Sequence, residues 1–154
     1  MHARQFVIGT IAGAVAILAV GYLMFTAALG NFYAYAMNAG SATGVAREPQ
    51  LLWAIALGTV SYSALLTLAI GSRANGLTIA AGLRIGALVS FLLWFTADFM
   101  LYGISNVGNL TTTIVDPLLE LVPGAIAGGV IAGVLRRTAS PTRESPDVST
   151  RRAA

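Results

Sequence analysis

Three carboxylates carry most of the chemistry this chain can offer. Asp98, Asp116 and Glu120 lie at or inside the edges of long apolar segments, whereas Glu48, Glu144 and Asp147 lie in polar stretches. A carboxylate in hydrocarbon is costly, so such groups normally face a bundle interior, a polar cavity or a partner. Asp98 is the leading candidate. Trp94 and Tyr102 flank it four residues away on either side, and Tyr102, Asn106 or Asn109 could donate a hydrogen bond to it. Two uses compete: a hydrogen-bonded staple tying the following loop to its helix, or a proton or cation site shared with Glu120. Replacing Asp98 by Asn separates them, because a staple tolerates the isosteric exchange and a protonation site does not.

Asp116 precedes Pro117, and Asp-Pro reads as a helix N-cap followed by proline at the first helical position. Glu120 lies one turn deeper on the same face. There it either meets the free amides and dipole of the helix start or serves as a protonatable site. Pro123 removes a further backbone donor and predicts a kink beside it.

Little other chemistry is available. The 154 residues contain no cysteine and no lysine, and the single histidine is His2. Thiolate catalysis, Schiff-base formation, a Ser-His-Asp triad and an H-E-x-x-H zinc site are therefore excluded. The sequence names no catalytic residue, no metal ligand and no cofactor. The sequence pI near 9.8 does not indicate nucleic acid, because a basic stripe interleaved with base-stacking aromatics is missing.

The elements that must position the acids follow from composition. Apolar residues make up 56% of the chain and charged residues 10%, with a mean hydropathy of +0.78. A soluble domain carries about 25% charged residues, and a lipid bilayer is the solvent that tolerates this deficit. A spanning helix needs about 20 apolar residues. Segments 6–29, 51–70, 77–101 and 117–135 qualify, and no alternating barrel strands occur. The expected fold is an all-α membrane protein: a four-transmembrane-helix bundle over residues 1–137, followed by a disordered tail over 138–154 that is rich in Ser, Thr, Pro, Arg and Glu.

Arginine placement predicts the orientation. With the N-terminus cytoplasmic, Arg4, Arg73, Arg84, Arg136, Arg137, Arg143, Arg151 and Arg152 fall inside and Arg47 alone outside. Phe25, Phe32, Tyr33, Tyr35, Trp53, Phe99 and Tyr102 then gather at the opposite interface as an aromatic belt. Both termini are expected to be cytoplasmic, in a bacterial inner membrane. The first apolar segment exceeds the 7–15 residues, roughly, of a signal-peptide core, so it reads as a retained helix. Arg84 lies two turns inside its helix and is expected to snorkel. It is fourteen residues from Asp98, about 21 Å along a helix.

Small residues mark helix faces that can approach closely. Gly9 and Gly13 are four apart in the first span, with Gly21 two turns on. Gly82, Gly86 and Ser90 form a row in the third. In the last span Gly124 and Gly128 form one row, and Gly129 and Gly133 a second. These rows serve either packing within the chain or contact with another subunit. Ser61, Ser63 and Thr67 are expected to bond backbone carbonyls or neighbouring helices.

The stretch from Asp98 to Thr111, with Val115-Asp116 and the run Ala127 to Gly133, resembles a group of small four-helix bacterial membrane proteins classed as a domain of unknown function. Ala42 to Val45 and Leu52 to Ala54 fit the same likeness, which covers nearly the whole span region. The resemblance implies a four-helix integral membrane protein and brings no activity with it.

The sequence therefore predicts a non-enzymatic inner-membrane bundle with a structural or partner-binding role. The bilayer is its first partner, and a second copy or another membrane protein its second. The alternative is a small transporter or channel subunit using the outer carboxylates for a proton or cation.

Overall fold

In the computed structural model, which describes residues 1–31, 49–73 and 77–138, every regular element is helical. Helix α1 spans Ala3–Gly21 and continues as a π-helical segment, Tyr22–Ala28. Helix α2 spans Leu52–Gly71, α3 Ile79–Ile104, α4 Leu110–Leu119 and α5 Leu121–Thr138. With α4 and α5 taken as one stretch, four helices are long and apolar enough to cross a membrane. The expected tail, Arg47 and most of the first loop lie outside the described residues.

Local signals explain the boundaries. Thr78 caps α3 by accepting from the Ala81 amide at 3.0 Å. The fourth stretch begins seven residues before the expected span, because Asn109, and not Asp116, supplies the cap. Its Oδ1 accepts from the Thr112 amide at 2.9 Å and from the Thr112 hydroxyl at 3.1 Å. The Thr113 hydroxyl bonds the Asn109 carbonyl at 3.0 Å. Asp116 and Pro117 therefore lie inside a helix, not at its start. Pro117 and Pro123 each withhold an amide from the helical ladder. The helix breaks between them, at Glu120, where α4 ends and α5 begins.

Both described termini meet at one end of the bundle. The Gln5 amide donates to the Thr138 carbonyl at 3.1 Å, and Met1 packs beside Gly71. Arg4, Arg73, Arg136 and Arg137 share this arginine end. The opposite, acid end holds the start of α2, the α3–α4 connection and the π segment.

The arginine half is tightly closed. Leu66, Ile70, Ala127, Ile131, Ala132 and Leu135 form its buried core. A Cβ on Gly82 would run into Gly128, and one on Gly86 would run into Gly124 and come within 2.9 Å of the Gly128 Cα. The backbones of α3 and α5 thus touch directly, as small residues permit. On α1, a Cβ at Gly9 would lie 2.9 Å from Thr67, and one at Gly13 would meet Ser63 and Ile131. Four of the expected packing glycines, Gly9, Gly13, Gly124 and Gly128, are used within the chain, so none of these positions is left for a second subunit. Gly21 and Gly133 are not so used, since a Cβ at either meets nothing within 4 Å.

Two serine hydroxyls clamp helix to helix. Ser63 on α2 donates to the Thr10 carbonyl of α1 at 2.7 Å, and Ser90 on α3 donates to the Glu120 carbonyl at 2.6 Å. Ser61 bonds within its own helix, to Leu57. The Thr67 hydroxyl has no hydrogen-bond partner.

Candidate functional site

The break at Glu120 puts the three expected acids together. Asp98 comes from α3, Asp116 from α4 and Glu120 from the junction between α4 and α5. The carboxyls of Asp98 and Asp116 are within hydrogen-bonding range of each other. Glu120 is 7% exposed, and the charged neighbours it feels are Asp116 and Asp98. Asp98 Oδ2 is buried without a hydrogen-bond partner. Among the described residues, these acids do not form a group able to hold a metal ion.

The other expected donors divide. Asn109 is engaged as the α4 cap. Tyr102 is exposed, 44% of its surface being open, and Asn106 is exposed in the α3–α4 connection. Because α3 runs on to Ile104, Tyr102 lies one turn beyond Asp98 on the same helix.

Sequence reading did not foresee a pocket of about 650 Å3 beside the acids. The first span causes it. Among the described elements, the π segment packs only on α1, which it continues, and not on α3 or α5. Glu120, Tyr62 and Trp94 line the space, with Tyr22 and Phe25 from the π segment. Gly21 and Gly58 line it too. A side chain at either would meet nothing within 4 Å, so Gly21 borders this pocket and not a packed face.

Tyr62 lies within electrostatic reach of Glu120 and close to the Ser90 hydroxyl, yet its own hydroxyl makes no well-formed hydrogen bond. The Trp94 indole nitrogen is likewise buried and unpartnered. The sequence offered one clue to Tyr62, a phenol in the middle of an uncharged span. It offered none to the pocket, which depends on how α1 diverges. Chemically, the arrangement can hold a proton between carboxyls and can receive a ligand against a buried acid and aromatic walls.

Compared with known protein families, with characterised proteins and with solved structures, the chain matches none.

Proposed function

We propose that the protein is a multi-pass bundle of a bacterial inner membrane, with its arginine end cytoplasmic, that serves a structural or partner-binding role and is not a conduit. The observation that carries this reading is the closed arginine half, where glycine backbones of α3 and α5 meet without intervening side chains. A through-pathway needs polar, hydrated lining across the membrane. Here the pocket lies on the acid side and a dry core lies beyond it. The arginine bias supports the orientation. The reading assigns no catalytic step, since cysteine and lysine are absent and the one histidine is His2. The partner class is a second copy of the chain or another membrane protein.

Reconstituted vesicles test it. Proton and monovalent-cation flux should match that of protein-free vesicles. A flux that the chain confers and Asp98→Asn removes would overturn the reading. That result would favour the second one, a proton-handling subunit, which draws its support from the Asp98–Asp116 pair.

A further inference from the structure

We propose that the pocket at the acid end binds an amphiphilic organic cation, an ammonium or phosphonium centre carried on an apolar body. The inference goes beyond the role proposed above and rests on it only for the placement of the pocket within the bundle.

Size comes first. About 650 Å3 is within the usual range for small-molecule sites, a few hundred to a thousand cubic ångströms, roughly. It far exceeds what one ordered water or ion needs. Two glycines keep it open, Gly21 on α1 and Gly58 on α2, each with no atom within 4 Å of where a Cβ would lie.

Polarity selects the occupant. Glu120 lines the space and is 7% exposed. Its backbone carbonyl is taken by Ser90, but among the described residues nothing donates to its carboxyl. Behind it lie Asp98 and Asp116, and the charged groups that Glu120 feels are these two acids. Among the described residues, no basic side chain lines the pocket. An anionic ligand would be repelled, and a wholly apolar one would leave a buried carboxyl without a partner. A cation supplies the missing charge.

The walls narrow the class further. Tyr22, Phe25, Tyr62 and Trp94 all contribute, and aromatic rings attract cations that are weakly hydrated. Among the described residues, the acids are not gathered into a metal-holding group, so the aromatic walls, and not a ring of carboxylates, set the class of cation. An onium centre with an apolar body uses every part of the lining.

The test uses the full chain in nanodiscs of zwitterionic lipid, with Trp53 replaced by Phe so that Trp94 alone reports by fluorescence. Trp53 is not part of the pocket lining. Tetraphenylphosphonium is titrated against tetraphenylborate, a similar shape of opposite charge. Saturable quenching by the cation alone is expected. Glu120→Gln should weaken it by about tenfold or more, the order of loss when one member of a desolvated charge pair is removed. Gly58→Leu should weaken it several-fold by taking up part of the space beside Glu120. A Cβ at Gly58 meets nothing within 4 Å, so that variant keeps the test decisive should Glu120→Gln fail to fold.

The proposal is overturned by any of three results: no saturable quenching in the parent, equal quenching by both ions (a plain lipid groove), or Gly58→Leu titrating like the parent. It fails separately from the bundle reading. Vesicle flux would remove the closed-bundle role and leave the pocket, whereas an indifferent titration would remove the pocket and leave the closed half.

Discussion

At the arginine end, Gly82 and Gly86 lie so near Gly128 and Gly124 that a single added methyl would enter the opposite backbone; at the acid end, Gly21 and Gly58 face nothing within 4 Å. The same residue type thus does opposite work in the two halves. In one it lets two helices touch, and in the other it leaves room. What differs is the company each helix keeps. Near the arginine end α1 packs against both α2 and α5, and α3 packs along α5. Toward the acid end α1 gives way to the π segment, which has no further partner among the described elements. A glycine row read from sequence therefore reports that close approach is permitted, and not that it happens.

The contrast can be broken most severely at the closed seam. Gly128→Leu should destabilise the bundle by about 3 kcal/mol or more, since overpacking already costs 1–3 kcal/mol or so where only side chains must move. Here the obstacle is the Gly82 backbone. Thermal unfolding in detergent reads the effect, and a melting point like that of the parent would refute the seam. Asn109→Ala comes next. Loss of the α4 cap should cost about 1 kcal/mol, while Asp116→Ala should leave the start of α4 unaltered, and helix-resolved amide exchange distinguishes the two.

Ser63→Ala should lose about 0.6 kcal/mol, the average for interhelical side-chain hydrogen bonds in a membrane protein. Ser90→Ala should behave alike and in addition loosen the turn at Glu120, again visible by amide exchange. Gly58→Leu should be smallest, within about 0.5 kcal/mol of the parent, as for surface substitutions that meet nothing. If it instead destabilised as Gly128→Leu does, the two halves would not differ as described.

Much of the fold was legible in the chain. The span centres follow from apolar runs, and the third span starts close to its expected position because Thr78 is a strong cap. The fourth start was misplaced because Asn109 and Asp116 both carry cap chemistry, and Asp-Pro resembles a start wherever it falls. Only packing chose between them. The extra turns of α4 are polar in threonine, which weakens an apolar-run signal without weakening a helix. The acids were legible individually, since carboxyls within apolar segments stand out. That Asp98 faces Asp116 follows from a contact between α3 and α4, which no spacing along the chain encodes. Tyr102 and Asn106 were grouped with Asp98 by sequence distance, and both are exposed.

By itself the sequence determined that the chain is helical and how many of its stretches are long and apolar enough to cross a membrane. Those depend on local composition: too few charges to wet a surface, and four stretches long enough to span. It also determined where close contact is sterically allowed. The tertiary structure alone decided which permissions are used, joining Gly86 to Gly124 while leaving Gly21 beside an open pocket. It also brought three acids from different helical segments to one place. The physical reason is that burial and electrostatic neighbourhood are properties of pairs of helices, and a single helix carries no record of what will lie against it.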